Sequence, residues 1–274
     1  MSAVKNIFNF YINSSIHVAF AVVALTTVSM IQFNVVSNFE LLGFIFFATI
    51  TGYNFVKYAG IAKLHHLSLA KNLRLIQIFS LIAFVFLIYF TFHQSKNVIL
   101  ISGILGLFTA LYALPIFGNE TNLRGVSGIK IFVIALVWAG VTVLLPVADH
   151  IHLYSLDVIL VFIQRFFFVI VITLPFEIRD LRFDMARLGT IPQIFGIKKT
   201  RIIGFLLVGI FVLLEFFKQS SALNNVISVL LVGGVCLYSL RFATIRQTKY
   251  YSSFWVEAIP ILWYGVLMIL MALN

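Results

Sequence analysis

Long apolar segments separated by short polar stretches make up most of this chain. About 20 apolar residues are needed for a helix to cross the hydrocarbon core of a bilayer, and nine segments reach that length. The first has no small-residue cleavage site, so we interpret it as a retained helix and not as a signal peptide. The pattern predicts nine transmembrane helices, at 12–33, 40–60, 75–93, 98–117, 129–147, 155–176, 202–219, 224–241 and 254–273.

Composition agrees with that pattern and excludes an ordinary soluble protein. The chain of 274 residues is 62% hydrophobic and 10% charged, with a mean hydropathy of +1.08, whereas soluble domains carry about 25% charged residues. We predict an all-α polytopic membrane protein in which residues 1–274 form a single domain. The single cysteine, Cys236, excludes an intrachain disulfide and a cysteine-rich metal site.

The basic residues predict the orientation of the helices. If the N-terminus lies inside, sixteen of the nineteen Lys and Arg residues fall on inside connections, as the positive-inside rule requires. This asymmetry explains the net charge of +10, and we expect no binding to nucleic acid. The two longest polar stretches, 61–74 and 177–201, also lie inside. We therefore predict a protein of the cytoplasmic membrane, with its C-terminus outside and a central cavity open to the cytoplasmic face.

Three carboxylates are clustered where the sixth predicted helix ends. Glu177, Asp180 and Asp184 are spaced i, i+3 and i+7, which puts them on one helical face. Clustered carboxylates repel one another unless a cation joins them, and Mg²⁺ shared with a phosphate is a natural partner. Arg179 and Arg182 lie in the same stretch, so local ion pairing is the alternative. The spacing alone leaves both interpretations open.

Other polar residues at helix ends are candidates for ligand contact. The segment 185–196 is expected to turn back over the acidic helix end, with Thr190 as the cap of the next helix. Tyr112 closes the fourth predicted span, and Lys130 begins the fifth. Each of these two could contact a ligand; otherwise Tyr112 would lie at the interface and Lys130 would be a positive-inside anchor.

These residues resemble a known family. Glu177-x-x-Asp180-x-x-x-Asp184, followed by Gly189-Thr190-Ile191-Pro192, looks like the second aspartate-rich motif of the UbiA superfamily of intramembrane prenyltransferases. The ending Tyr112-x-x-Pro115, the basic residues before the fifth span, the nine spans and the placement of both long loops are also similar to that family. The resemblance covers essentially the whole chain, and the second motif is its specific part.

The resemblance implies a function and a set of site residues. Members transfer a prenyl group from a polyprenyl diphosphate to a small acceptor, often an aromatic quinone precursor, and Mg²⁺ binds the diphosphate. By resemblance, the metal ligands are Glu177, Asp180 and Asp184, and the substrate-binding residues are Asn54, Lys57, Tyr112 and Lys130. Asp180 and Asp184 are the expected catalytic residues because they hold the metal.

The first aspartate-rich motif of that family is degenerate here. Phe55, Tyr58 and Ala62 stand where carboxylates are expected, while Asn54 remains and Lys57 adds positive charge. Three explanations are open. Lysines, with Lys63 among them, replace the charge of one metal ion; or the protein binds a polyprenyl lipid or a partner without catalysis; or it catalyses a different reaction on a related ligand. A membrane transporter is a further alternative.

Three more charged residues lie within or next to predicted spans. A charge inside a membrane is costly and usually faces the protein interior or a partner. Arg165 is in the middle of its span and could line a cavity, which is the feature that fits a transporter best. Glu215 is close enough to its helix end to reach water. Glu257 begins the last span and is expected to pair with Arg246 or Lys249.

Overall fold

A computed structural model describes residues 2–58, 70–114, 128–150, 153–182, 189–219 and 221–273. These residues are mainly helical, and no strand occurs among them. In chain order the helices are α1 (Ser2–Asn13), α2 (Ile16–Gln32), α3 (Phe39–Tyr58), α4 (Ala70–Thr91), α5 (Lys96–Ala113), α6 (Lys130–Ala139), α7 (Leu156–Asp180), α8 (Ile191–Leu213), α9 (Leu223–Phe242) and α10 (Ile259–Ala272). The all-α fold class is confirmed.

Eight spans among the described residues are long and apolar enough to cross a membrane, and α1 with α2 forms a ninth if that bent pair counts as one. The protein is a multi-pass membrane protein, as predicted. The first span, however, is broken, because α1 and α2 meet at an angle of 56°. Ser15 at the break has a φ of 65°, a left-handed conformation that non-glycine residues seldom adopt.

The seventh span begins earlier than its hydropathy suggests. The predicted segment starts at residue 202, but α8 starts at Ile191 and bends at Gly196, where φ is 73° and ψ is 163°. Thr190 precedes the helix with extended backbone, and its N–H donates to Gln193 Oε1 at 3.1 Å. Thr190 is therefore at the predicted N-cap position, although the hydrogen bond there comes from the Gln193 side chain and not from the Thr190 hydroxyl. The first part of the helix contains Gln193 and the basic residues Lys198, Lys199 and Arg201, which lower its mean hydropathy, so a hydropathy window misses it.

Two π-helical segments widen the winding of membrane helices. The first, Gly140–Leu144, directly follows α6 and leads into the short helix Leu145–Val147, so the three together form one span. The second, Tyr251–Val256, precedes α10. Gly140 allows close approach of α5, because a Cβ atom there would lie 2.5 Å from Leu105 Cδ2. Single π turns inside α-helices are frequent at functional sites. The segment 251–256, here called the π segment, matters for the cavity described below.

Aromatic packing joins the buried sides of the helices. The rings of Phe168, Phe211 and Trp263 come from α7, α8 and α10, and their centroids lie 5.2–5.5 Å apart. Such edge-on and tilted pairs are favourable beyond the area that they bury. By contrast, α4 and α5 leave large apolar side chains such as Leu81, Val85 and Leu107 exposed, which in a membrane protein is the surface that meets lipid.

A second buried feature is a polar cluster of Gln164, Glu215, Lys218 and Ser221, here called the Glu215 cluster. Lys218 Nζ donates to Glu215 Oε2 at 2.5 Å, Gln164 Nε2 donates to the same oxygen at 2.9 Å, and Ser221 Oγ donates to Glu215 Oε1 at 2.6 Å. Glu215 is fully buried. The expectation that it reaches water is wrong, because partners from α7 and from the chain after α8 satisfy it inside the protein.

Arg165 lies beside this cluster on α7. Its Nη2 donates to Ser29 Oγ at 2.9 Å, and its guanidinium lies 4.8 Å from the ring centroid of Trp263. The side chain is 1% exposed and does not line the large cavity. The sequence-based suggestion that Arg165 lines a cavity is wrong for that cavity. The guanidinium instead ties α7 to α2 and α10, and this removes the feature that favoured a transporter.

We expect Glu215→Ala to destabilise the protein strongly. It would leave the Lys218 ammonium buried without its counter-charge, and losing one partner of a buried ion pair costs about 3–5 kcal/mol. Thermal unfolding in detergent measures the effect, with the exposed Glu40→Ala as the matched control. The double variant Glu215→Leu/Lys218→Met should recover much of the loss. Equal unfolding temperatures for Glu215→Ala and Glu40→Ala would contradict the assignment.

Candidate functional site

One large cavity lies among the helices and has a volume of about 1120 Å³. Most of its lining comes from α3, α5, α6, α7 and the chain around the π segment, and a few residues come from α1, α2 and α4. Sites for small ligands are usually about 300–1,000 Å³. The cavity is therefore large enough for a long ligand or for two ligands together.

The two ends of the cavity differ in chemistry. One end, here called the polar end, is lined by Lys57, Lys130, Glu177, Arg179, Asp180, Lys249 and Glu257. The other, the apolar end, is lined mainly by hydrocarbon side chains, among them Phe44, Leu87, Ile99 and Leu145. Such a site can hold a molecule with a charged head and a hydrocarbon tail.

Glu177 and Asp180 lie together at the polar end, on the last turn of α7. Glu177 is 2% exposed. Asp180 is paired with its neighbour Arg179, whose Nε donates to Oδ1 at 2.7 Å and whose Nη2 donates to Oδ2 at 3.1 Å. Arg179 also lies over the ring of Phe176, 5.1 Å from its centroid. The local ion pairing that the sequence left open is thus present at Asp180, while Asp184 lies outside the described residues.

These carboxylates fit a Mg²⁺ ion that also binds a phosphate. No group of three His, Cys, Asp or Glu side chains with metal-binding geometry occurs within the described part of the chain. Mg²⁺ does not need one, because it commonly takes one or two carboxylates together with phosphate oxygens and water. Glu177 and Asp180 supply two, provided that the Arg179 guanidinium shares or releases the oxygens of Asp180.

Lys57 is held at the polar end by Ser15, at the break between α1 and α2, and by Tyr53 on its own helix. Its Nζ donates to Ser15 Oγ at 2.9 Å and lies 5.9 Å from the ring centroid of Tyr53. Tyr53 Oη in turn accepts from Trp138 Nε1 at 2.7 Å. The break between α1 and α2 therefore provides the hydroxyl that orients Lys57. The rings of Tyr53, one helical turn before Lys57 on α3, and Trp138 lie next to it.

Asn54 does not line the cavity. It is 3% exposed, and its side chain accepts from Ser15 Oγ at 2.8 Å and donates to Ser14 O at 3.0 Å and to Ser80 Oγ at 2.8 Å. These bonds hold the α1–α2 break against α3 and α4. The predicted contact of Asn54 with diphosphate stays a prediction, and its described bonds support Lys57 indirectly through Ser15.

Of the residues that stand in place of the first acidic motif, one lines the cavity and another bonds to the end of α1. Phe55 lines the cavity, and Tyr58 Oη donates to Asn13 O at 2.9 Å, again at the end of α1. Ala62 and Lys63 lie outside the described residues. No carboxylate of α3 faces the cavity, since Glu40 at the far end of that helix is its single acidic residue.

Tyr112 and Lys130 both line the cavity with the carboxylates of α7. Tyr112 is 6% exposed, so it is not the interfacial tyrosine that was the alternative. Pro115 and Arg124, which contributed to the resemblance, fall outside the described residues. The structure therefore brings Lys57, Tyr112, Lys130, Glu177 and Asp180 to one cavity and sets Asn54 behind its wall.

Several lining residues escaped the sequence interpretation. Arg179, Lys249, Tyr53 and Trp138 line the cavity, and so does Glu257. Lys249 Nζ and Tyr250 Oη both donate to Asn9 Oδ1, at 2.7 and 2.9 Å, which fastens α1 beside the polar end. The expected pairing of Glu257 with Arg246 or Lys249 is not formed; its electrostatic neighbours are Lys57 and Arg179. The sequence signal for Glu257 was that an isolated acidic residue lies at the boundary of a membrane span.

Solved structures with this arrangement of helices are known. A UbiA homologue from Aeropyrum pernix K1, in its apo form, superposes with a TM-score of 0.67 at 14% identity, over 93% of this chain and 98% of that one. A UbiA homologue from Archaeoglobus fulgidus bound to GPP and Mg²⁺ gives 0.62 at 12% identity, over 96% and 99%. A digeranylgeranylglyceryl phosphate synthase gives 0.56 at 15% identity, over 98% and 97%.

These likenesses extend over nearly the whole of each chain, so the predicted resemblance to UbiA proteins is confirmed at the level of the fold. No family model matches the sequence, and no curated protein matches it either. At 12–15% identity the fold is what the comparison establishes. The function must be argued from the cavity.

We expect Asn54→Ala to lower stability. The substitution would remove three buried hydrogen bonds, to Ser15 Oγ, to Ser80 Oγ and to the Ser14 carbonyl. Ser15 Oγ would keep its bond from Lys57 and Ser80 Oγ its bond to Ile76 O, so we expect each loss to cost about 0.5–1.5 kcal/mol. Thermal unfolding in detergent tests this, with the exposed Asn97→Ala as control. If Asn54→Ala unfolds at the temperature of the unaltered protein but loses affinity for a diphosphate ligand, Asn54 contacts the ligand directly.

Proposed function

We propose that this protein is a UbiA-type prenyltransferase, which transfers a prenyl group from a polyprenyl diphosphate to a small aromatic acceptor in a Mg²⁺-dependent reaction. The observation that carries the proposal is the single cavity with an ionic end and a long apolar wall. This is the polarity of a prenyl diphosphate, whose charged head and hydrocarbon tail need opposite surroundings. The fold shared with a homologue that binds GPP and Mg²⁺ adds support.

The polar end suits a diphosphate. Lys57, Lys130 and Arg179 line it, and Lys249 extends the positive charge towards α1. Charged donors make strong hydrogen bonds to phosphate oxygens. Lys57 lies on the helix that lacks the first acidic motif, so its charge there can replace that of one metal ion.

Mg²⁺ would be held by Glu177 and Asp180 of α7, with Asp184 as a third predicted ligand. When bound, the ion would neutralise charge on the leaving diphosphate. The chain's own part is to bind and orient the two substrates. Trp138 fixes the Tyr53 hydroxyl, and their rings with that of Phe176 face the cavity. Aromatic faces stabilise a nearby cation, which is the character that the prenyl carbon acquires as its bond to oxygen breaks.

The apolar wall is long enough for a polyprenyl chain. Its lining runs from Phe44 to Val56 on α3 and from Ile99 to Ala110 on α5. These helix segments rise about 17–18 Å. With carbon–carbon bonds of about 1.5 Å, one extended isoprene unit advances about 5 Å. Roughly three to four units fit along the wall.

Glycines keep that wall open. A Cβ atom added at Gly52, Gly103 or Gly106 would meet no heavy atom within 4 Å, and all three line the cavity. This differs from Gly140, where a neighbouring side chain fills the space. The three glycines therefore leave room that no part of the described protein occupies, and a prenyl chain is the occupant that we propose.

We further propose that the polar end opens to the cytoplasmic face of the cell's inner membrane. The positive-inside pattern of the connections supports that orientation. A soluble diphosphate head would then reach the polar end from the aqueous side while its tail remains in apolar surroundings.

The proposal is tested by binding of radiolabelled geranylgeranyl diphosphate to purified protein, with Mg²⁺ and with EDTA, followed by pyrophosphate release with a panel of hydroxybenzoates and hydroxynaphthoates. We expect Mg²⁺-dependent binding that Glu177→Gln/Asp180→Asn weakens at least tenfold, because the metal ligands are lost. Lys57→Met should weaken binding in both buffers, since it removes charge from the site itself.

Glu40→Gln is the control, because Glu40 lies on α3 outside the cavity. Binding without pyrophosphate release from any acceptor would favour the alternative function, a protein that binds a polyprenyl lipid without catalysis. The degenerate first motif and the Arg179–Asp180 pair are the observations behind that alternative. Absence of binding in both buffers would refute the proposed function.

We expect Gly106→Phe to exclude long prenyl chains. The ring would project into the apolar part of the cavity, so affinity for geranylgeranyl diphosphate should fall at least tenfold and affinity for geranyl diphosphate should fall less. Gly234→Phe is the matched control, because Gly234 is also free of close neighbours but does not line the cavity. Equal chain-length preference in the two variants would contradict the placement of the prenyl chain.

A further inference from the structure

Glu257 is a cavity carboxylate that no acidic motif accounts for. It follows the π segment directly, and its N–H donates to Ser252 O at 3.1 Å, the five-residue step of π winding. Lys249, Ser253 and Glu257 are four residues apart, and all three line the cavity. Residues four apart lie on the same side of a helix, and the longer turn of the π segment preserves that arrangement.

Groups from three other helices surround Glu257. Its carboxylate interacts electrostatically with Tyr11 of α1, with Tyr53 and Lys57 of α3, and with Arg179 of α7. These neighbours are cations and phenols and include no other carboxylate. Within the described chain the carboxylate accepts no hydrogen bond from a side chain or backbone group. Glu257 thus lies among the groups that would bind the diphosphate head, with its oxygens available to a ligand.

The proposed reaction needs a proton acceptor. When a neutral hydroxyl group or an aromatic C–H carbon attacks the prenyl group, the product must lose one proton. Asp180 is hydrogen-bonded to Arg179, and the proposed function assigns Asp180 and Glu177 to Mg²⁺. The lysine and arginine side chains at the polar end are assigned to the diphosphate head. Among the described residues, Glu257 is the remaining acidic side chain that lines the cavity.

We propose that Glu257 accepts the proton that the acceptor loses as its bond to the prenyl group forms. The inference rests on the proposed prenyl transfer and adds to it the class of the acceptor. That class is a neutral nucleophile, a phenolic hydroxyl or a ring carbon bearing hydrogen, which does not have to be ionised before it binds.

The step balances as follows. The bond between C1 of the prenyl group and the bridging oxygen breaks, and its electron pair leaves with the diphosphate. An electron pair of the acceptor forms the new bond to C1. The proton on the attacking atom passes to a carboxylate oxygen of Glu257, which later returns it to water at the polar end. No oxidant or reductant is needed.

Glu257→Gln tests the role while keeping shape and hydrogen-bonding capacity. We expect it to bind geranylgeranyl diphosphate with Mg²⁺ within threefold of the unaltered protein. We expect transfer to the hydroxybenzoate and hydroxynaphthoate panel to fall at least 100-fold, because a positioned general base contributes about 10²–10⁴ in rate. Water alone is included as the simplest nucleophile, with prenyl alcohol as its product. Glu40→Gln is the control.

Chemical rescue separates a proton acceptor from a residue that only orients Lys57 and Arg179. In Glu257→Gly, added formate can enter the vacated space and accept the proton, so transfer should rise with formate concentration. Formate should have no such effect on Glu257→Gln, where the amide fills the space. Glu257→Asp, which keeps the carboxylate, should retain more transfer than Glu257→Gln and serves if the glycine variant does not fold.

The outcomes are distinct. Full transfer by Glu257→Gln would overturn the inference and leave the proposed function intact. If Glu257→Gln loses both diphosphate binding and transfer, and neither formate nor Glu257→Asp restores transfer, the inference is also overturned and Glu257 is a positioning residue. If the unaltered protein transfers no prenyl group to the panel or to water, the proposed function has failed and the inference fails with it.

Discussion

The cost of placing charge inside a bilayer is the constraint on which this structure depends. A charged side chain in the hydrocarbon core must face the protein interior, and it needs a partner there. The chain has few such groups and gathers them at two places. Glu215, Lys218 and Gln164 form one satisfied cluster with Arg165 beside it, which holds helices together. The others line the polar end of one cavity, where a ligand can complete their interactions.

Irregular helices build that polar end. The break at Ser14–Ser15 gives the hydroxyl that binds Lys57, and Asn54 fixes the break from behind. The π segment keeps Ser253 and Glu257 on the cavity side of the last span. Each irregularity interrupts regular hydrogen bonding, and in a membrane the freed groups must find partners within the protein. The same departures from helical geometry that cost stability therefore turn polar side chains inward. Since the cavity walls away from this end are apolar, the result is one cavity with a charged end and an apolar end.

Hydropathy alone predicted the nine spans and the all-α class, because apolar length is a direct consequence of bilayer thickness. Helical periodicity placed Glu177 and Asp180 on one face, and both line the cavity. The rest depended on tertiary contacts that spacing does not encode. Periodicity could not show that Arg179 would pair with Asp180, nor that the Asn54 side chain would bond to Ser14, Ser15 and Ser80. Glu257 stood out in the sequence as an acid at a span boundary, but its position next to Lys57 and Arg179 depends on contacts between helices that the sequence spacing does not encode.

The central claim is that a single cavity binds the diphosphate head at its polar end and the prenyl chain along the glycine-lined wall of α3 and α5. The most direct measurement is a structure of the protein with Mg²⁺ and geranylgeranyl thiolodiphosphate, a substrate analogue that resists ionisation. The account predicts diphosphate oxygens within hydrogen-bonding distance of Lys57 and Lys130, the metal at Glu177 and Asp180, and the chain passing Gly52, Gly103 and Gly106. Density for the analogue at another surface, or with its head at the apolar end, would contradict it.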